Sequence, residues 1–174
     1  MQAVDDLYTR LSAINERLAH IETLERPNPA NFLSVGREMC SAYHNTTQTV
    51  PDNTAKALAL NSEGWDTAGL HDTVTNNSRI YLVAGQKYHI EGWVQWDGAD
   101  TGSGRREAYV RKNGTTELWG RSTMRQTTTG DNLTNHILSD IEASEGDYIE
   151  LVAYQTSGAD RTVLAARLVV WRIG

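Results

Sequence analysis

The chain has 174 residues, and its 22 acidic side chains outnumber its 16 lysines and arginines, which gives a formal net charge of −6. An acidic protein is a poor partner for nucleic acid or for an anionic membrane surface, so we expect neither. The single cysteine, Cys40, excludes an internal disulfide framework and a cysteine zinc site. Because no apolar run reaches membrane-spanning length and the N-terminus lacks a basic-then-apolar signal, we expect synthesis in a cytoplasm without membrane insertion.

The N-terminal region carries a heptad pattern. Its apolar residues recur at alternating steps of three and four, the a/d seam of a coiled coil, at Val4, Leu7, Leu11, Ile14, Leu18 and Ile21. Leucine at a with isoleucine at d favours three or four strands over two. The pattern therefore predicts a homotrimeric coiled-coil stalk over residues 1–26. The alternative is a lone amphipathic helix folded onto its own domain.

Two prolines separate the stalk from the rest of the chain. Pro27 and Pro29 cannot continue a helix and favour extended backbone before them, so residues 27–38 are predicted to be a stiff connector. The remaining residues, 39–174, are enough for one domain with a proper core.

In the head domain, residues 39–174, apolar residues recur with a period of two. They lie in short runs rich in β-branched and aromatic residues, separated by Gly, Asn and Asp. This is the pattern of an antiparallel β sandwich. Strands are predicted at about 40–45, 54–60, 79–83, 87–96, 105–112, 115–122, 133–141, 147–155 and 162–173, with no second helix.

The connections differ in length. Residues 84–86, 113–114 and 145–146 are predicted tight turns, and Asn113-Gly114 is a strong hairpin signal. The connections 61–78, 97–104, 123–132 and 156–161 are long. If strand directions alternate and the first strand pairs antiparallel with the last, the long loops collect at the end away from the stalk, where binding residues are commonly found.

Two stretches, residues 69–96 and 141–158, resemble the C1q/TNF-like trimeric jelly-roll head, in particular the versions on bacteriophage virion proteins. Gly146, Asp147, Ile149 and Leu151 match one family motif, while Gly85 and Tyr88 are separated by two residues where the family has one, so a bulge or shifted register is expected there. The resemblance covers about residues 40–174. It implies a mostly β jelly-roll sandwich, a homotrimer, and motifs that are structural rather than catalytic.

Three aromatic residues are candidates for the subunit interface of the head. In the predicted strand 87–96, Trp93 lies on the face opposite Tyr88 and the other core residues. Tyr148 and Tyr154 lie opposite the family-matched Ile149 and Leu151. Because aromatic residues are enriched in interface cores, we predict that Trp93, Tyr148 and Tyr154 contribute to trimerisation.

The long loops and their borders hold the candidate surface-binding residues, which are Asp97, Asp100, Arg105, Arg106, Arg125, Asp131, Asp160 and Arg161. Planar guanidinium groups suit an anionic or sugar-bearing surface, and loop carboxylates are the ligands that calcium prefers. Charged loop ends also serve solubility, and without EF-hand spacing the carboxylates are better explained as solvated. We predict no metal and no cofactor.

Catalysis has little support in the sequence. His71-Asp72 is a possible acid/base pair, but no nucleophile or second base accompanies it, and the surrounding stretch, residues 66–72, matches a structural loop of the family. His44, His89 and His136 are scattered singly. A glycan hydrolase would need two converging carboxylates, and none is identifiable. The sequence therefore favours a non-enzymatic protein.

The resemblance and the stalk together lead to one functional expectation and one alternative. We expect a homotrimeric tail or fibre appendage of a tailed-phage virion, attached to other virion proteins, whose distal loops contact a glycan or protein of the host cell surface. Three copies on one head would raise avidity. The alternative is a capsid decoration protein, because the heptad stretch from Val4 to Leu24 would span only about 31 Å as a helix.

Overall fold

A computed structural model of the chain describes residues 38–44, 46–99, 102–126 and 130–173. The predicted stalk, with its six seam residues, lies outside the described residues, as do all of the connector except Glu38 and, among the candidate binding residues, Asp100. In the described ranges every regular element is a β strand. None of their elements is a helix long and apolar enough to span a membrane.

The described part of the head has twelve strands, most of them short and several long. They are β1 (Met39–Tyr43), β2 (Gln48–Val50), β3 (Lys56–Ala57), β4 (Ser62–Asp66), β5 (Arg79–Tyr81), β6 (Lys87–Trp96), β7 (Arg105–Lys112), β8 (Thr116–Glu117), β9 (Ser122–Arg125), β10 (Leu133–Glu142), β11 (Tyr148–Gln155) and β12 (Arg161–Arg172).

The strands form two antiparallel sheets. The first sheet has the order β10-β6-β12-β1-β4, with β2 also paired to β12. The second sheet has the order β3-β11-β7-β8, with β5 also paired to β11 and β9 to β7. Strands far apart in sequence, such as β1 and β12, are neighbours, so the mostly β, antiparallel prediction is confirmed.

The core lies between the sheets and follows from the alternation of side chains along each strand. On β6, Tyr88, Ile90, Val94 and Trp96 are fully buried, as predicted, while the intervening side chains face outward. Ile149, Leu151 and Ala153 of β11 fill the facing side. Full burial of a large apolar side chain contributes about 1.5–3 kcal/mol, so these long strands anchor the sandwich.

The predicted turns are present, and so is the irregularity expected before β6. Asn113 and Gly114 have φ angles of 50° and 75°, the left-handed pair that a primed hairpin turn requires. From Lys87 opposite Glu142 to Trp96 opposite Leu133, the pairing of β6 with β10 has no break. Just before β6, two residues lie opposite one: the Gly85 amide donates to the Ala143 carbonyl at 2.7 Å, and the Ala143 amide donates to the Gln86 carbonyl at 2.9 Å. Gly85 has a φ of 75°, so this is a bulge with glycine at its first position, as expected there.

Strand pairing fixes which connections share an end of the sandwich. Trp96, at the end of β6, lies opposite both Leu133 and Val163, the beginnings of β10 and β12. Arg106, near the beginning of β7, lies opposite Gln155 at the end of β11. The β6–β7, β9–β10 and β11–β12 connections therefore share one end, the distal end, as predicted.

The stretch 61–78 is the exception among the predicted long loops. It contains β4, which pairs with β1. Thr67, the residue after β4, donates its amide hydrogen to the carbonyl oxygen of Met39 at 2.9 Å. The rest of this connection therefore begins at the end where β1 begins, away from the distal loops. Two predicted strands also differ: only Lys56–Ala57 of 54–60 is a strand, and 115–122 is divided between β8 and β9.

Candidate functional site

The distal end is held together by hydrogen bonds between its loops. The Gly98 amide donates to Asn132 Oδ1 at 2.9 Å, and the Gly130 amide donates to the Gly98 carbonyl at 2.8 Å. On the other side, the Gly158 amide donates to Asp52 Oδ1 at 2.8 Å. These cross-loop bonds give the described part of the distal end a defined shape.

Three of the predicted loop carboxylates lie at this end. Asp131 and Asp160 are exposed, whereas Asp97 is half-buried and accepts the Ala99 amide at 2.9 Å. Within the described ranges no three metal-binding side chains converge. As far as these ranges go, the arrangement offers individual carboxylates and not a cation cage.

Two arginines predicted to line the binding surface are buried instead. Arg106 is 1% exposed and lies inside the sandwich, with its guanidinium carbon 5.8 Å from the centre of the Trp96 ring. Arg161 is 9% exposed, and its Nε donates to Ser157 Oγ at 2.6 Å. Both predictions are wrong. Alternate side chains along a strand point to the same face, and these two arginines occupy inward-facing positions of their strands. Their roles are to support the core and the β11–β12 loop.

The other two predicted arginines are exposed and lie next to a cleft in the outer surface of the second sheet. This outer cleft has a volume of about 400 Å³. Its principal lining residues are Arg105, Glu107, Tyr109, Arg121, Thr123 and Tyr154. Pairing places Tyr154, Glu107 and Thr123 in one row across β11, β7 and β9. Arg125 lies directly opposite Arg105 at the distal edge of the same face.

A buried carboxylate organises the outer cleft. Glu107 is only 2% exposed, forms an ion pair with Arg105 Nη1 at 3.2 Å and accepts a hydrogen bond from Arg121 Nη1. Arg121 also pairs with Glu117 and lies 4.2 Å from the centre of the Tyr109 ring. Arg121 is thus held by charge-assisted hydrogen bonds, which are stronger than neutral ones, and Arg105 by an ion pair.

Sequence reasoning missed most of this cleft. Glu107, Tyr109, Arg121 and Thr123 were not candidates, although residues 105, 107 and 109 share one face of a predicted strand. That alternation was the available signal on β7. Arg121 and Thr123 had no such signal, because the predicted strand 115–122 is interrupted between β8 and β9.

The outer face of the first sheet holds a second feature, an apolar groove of about 470 Å³. We call it the aromatic face, and it is formed by Trp65, Trp93, Trp171, Met39, Val169, Glu91 and Arg167. Trp65 is 44% exposed, and Arg167 lies 5.4 Å from the centre of its ring. Trp93 is therefore on the outward face, as predicted.

The other two predicted interface aromatics lie elsewhere. Tyr148 and Tyr154 are on β11, in the second sheet, so they cannot share one continuous surface with Trp93 on the first. Tyr148 packs against the guanidinium of Arg79 at 4.3 Å, and the Tyr154 hydroxyl donates to Asn53 Oδ1 at 3.1 Å. In a cyclic trimer two different surfaces of each subunit meet, so the contribution of these three residues to trimerisation stays a prediction.

The histidine and aspartate residues considered for catalysis have structural partners. His71 is buried between Glu63, at 2.8 Å from its Nδ1, and the Asn77 carbonyl, at 3.1 Å from its Nε2. Asp72 accepts the amides of Val74 and Thr75, and these bonds lower the pKa of its carboxyl. Asp66 accepts the amides of Ala68 and His71. The pair stabilises the loop that it lies in.

Comparison with known proteins supports the fold alone. No protein-family model matches the chain, and no curated protein matches it in sequence. Among solved structures it is similar to the globular domain of the zebrafish complement 1qA protein, with a TM-score of 0.56 and 11% identity, covering 79% of this chain and 98% of that one. It is also similar to the Eiger TNF from S. frugiperda, with a TM-score of 0.57 and 11% identity, covering 79% and 93%. The head of this chain has a C1q/TNF-like jelly-roll fold.

Proposed function

We propose that the chain is one subunit of a homotrimeric, non-enzymatic head on a tailed-phage virion, and that the distal end of this head contacts the host cell surface. The observation that carries the proposal is the position of the aromatic face relative to the distal loops. The aromatic face lies on the flank of the sandwich, on β1, β4, β6 and β12, whereas the loops lie at one end. Assembly and host contact would then use separate surfaces.

The occupant that we assign to the aromatic face is a second copy of this chain. Three tryptophans on one outward face are the composition of an interface core, and an apolar groove of this kind is unfavourable in water. Glu91 and Arg167 bring one charge of each sign to the groove, so two copies can meet without like-charge repulsion. The predicted stalk seam and the family resemblance both imply three copies.

A second groove, of about 420 Å³, lies on the same sheet and is also lined by Trp93 and Arg167. The surface that we assign to a second copy therefore extends beyond the aromatic face.

The distal end suits host contact because the described parts of its loops are hydrogen-bonded to one another. Ordering a flexible loop on binding costs free energy, so hydrogen bonds such as those of Gly98 and Gly158 reduce that cost in advance. The exposed side chains of Asp131 and Asp160 make this end polar, as contact with a polar ligand requires.

The proposal is tested by locating the protein and measuring its binding. Gold-labelled antibody against the head should mark the tail of virions, and the purified full-length chain should bind host cells and compete with virions for adsorption. Labelling spread over the shell, together with binding to purified capsids and not to cells, would replace this function with capsid decoration.

A further inference from the structure

The outer cleft is a ligand site, and we propose that it binds an acidic saccharide, a polyhydroxylated ring that carries a carboxylate. The inference rests on the proposed function, since it names the chemical class that the head would recognise on a cell surface. The outer cleft is a different location from the distal loops, because it opens on the outer surface of the second sheet and extends inward from the distal edge. Its volume is within the range typical of small-molecule sites.

The outer cleft has an excess of positive charge, whereas the chain as a whole is acidic. The chain has a net charge of −6, yet the lining contains the two guanidiniums of Arg105 and Arg121 and one carboxylate, that of Glu107. Including the two flanking side chains, Arg125 and Glu117, leaves the same positive excess. A local positive excess on an acidic protein favours a ligand with a single negative charge. It does not favour a long polyanion, which the rest of the surface would repel.

The positions of Arg105 and Arg125 are electrostatically unfavourable. They lie directly opposite each other on β7 and β9, and like charges in this position destabilise a pair of strands. An anion bound between two guanidinium forks would turn the repulsion into a pair of charge-assisted hydrogen bonds. Two guanidinium groups on neighbouring strands at the edge of the cleft are the groups that such a carboxylate would bind.

The floor of the cleft suits ring hydroxyls. One carboxylate oxygen of Glu107 contacts Arg105 and the other contacts Arg121. Each oxygen can also accept a hydrogen bond from a ligand. The Tyr154 hydroxyl donates to Asn53, so its lone pairs can accept from a ligand, and Thr123 is exposed in the same row. Alternating donors and acceptors, fixed by ion pairs, match the hydroxyl groups of a sugar better than an apolar ligand.

The test is a saccharide array incubated with the full-length chain, containing sugars with uronate, sialate or pyruvate-ketal carboxylates beside neutral sugars. Binding is expected to be confined to the carboxylate-bearing members. Arg105→Gln and Arg125→Gln should each weaken it about tenfold, the effect of one charge-assisted hydrogen bond. Arg79→Gln, on the same sheet but packed against Tyr148 outside the cleft, is the matched control and should bind like the parent chain.

A thermal-unfolding readout separates binding from folding. Arg125→Gln removes one side of the like-charge pair, so its melting temperature should equal or exceed that of the parent while its saccharide binding falls. Equal binding of neutral and acidic sugars, no binding to any member, or full binding by Arg125→Gln would each overturn the inference. Adsorption of the chain to cells would survive those results if host contact uses the loops alone, so the two proposals fail separately.

Discussion

Met39, the first residue of β1, lies directly opposite Trp171, the penultimate residue of β12. Both ends of the described head are therefore at the end of the sandwich away from the distal loops. The β6–β7, β9–β10 and β11–β12 connections lie at the opposite end of the sandwich from Met39.

Insertion of a peptide tag into the distal end should block cell binding. The site is between Gly158 and Ala159, both exposed in the β11–β12 loop. Because the strands on either side are unchanged, the variant should melt within a few degrees of the parent. The same tag at Met1 is the control and should leave adsorption intact. Unimpaired adsorption by the loop-tagged protein would exclude the distal end from host contact.

Trp93→Ala should weaken assembly of the head, residues 39–174, more than its folding. Loss of a central interface aromatic commonly costs about 2 kcal/mol or more, roughly a thirtyfold increase in the dissociation constant measured by sedimentation. Trp96→Ala, three residues away but fully buried and bonded to Asn135, is the comparison. That variant should lose about 3–5 kcal/mol of folding stability. Similar profiles for the two variants would contradict the assignment of faces.

His44 should make the head less stable in mild acid. Burial lowers the pKa of its imidazole below the ordinary value of 6.5. The unfolded chain then binds a proton that the folded chain does not, so stability falls as the pH drops below 6.5 toward the folded-state pKa. Melting temperatures measured at falling pH should decline less steeply in His44→Gln. An unchanged slope would mean that other groups dominate this range.

Gly120→Ala should destabilise the turn between β8 and β9. Gly120 has a φ of 106°, and a Cβ there would overlap the carbonyl oxygen of Leu138 on β10. Gly130→Ala is the matched control, because its φ is 103° and a Cβ would meet nothing described within 4 Å. Both variants bear backbone strain of about 1–3 kcal/mol, and Gly120→Ala should lose about 1–3 kcal/mol more through overpacking. Denaturant unfolding measures the difference, and equal losses would contradict the close packing against β10.

The long strands could be predicted from the sequence because their side-chain period is set by a buried face. Lys87–Trp96 alternates strictly, and the structure gives the strand these bounds. The turn at Asn113-Gly114 was equally accessible, since few residues other than asparagine and glycine accept its φ angles. Met39 opposite Trp171 also fulfils the condition under which the long loops were expected to lie away from the stalk.

The short elements and the cleft could not be predicted in the same way. Ser62–Asp66, which forms β4, reads SEGWD and has no alternating apolar face, so it is a strand only because β1 offers its edge. The position of Arg106 was accessible in principle, since it shares a strand face with Ala108 and Val110. The contact between Arg121 and Glu107 depends on how the β8–β9 segment folds back over β7, which no local pattern encodes.

The most direct test of the account is the mass of the purified full-length chain in solution, because the predicted stalk and the proposed function both imply three copies. Multi-angle light scattering at micromolar concentration should give three times 19.3 kDa. Replacing both Leu11 and Leu18 with Asp would bury unpaired charges in the seam and should lower that mass or the melting temperature. A parent chain of 19.3 kDa under the same conditions would contradict the trimeric head on which the proposed function rests.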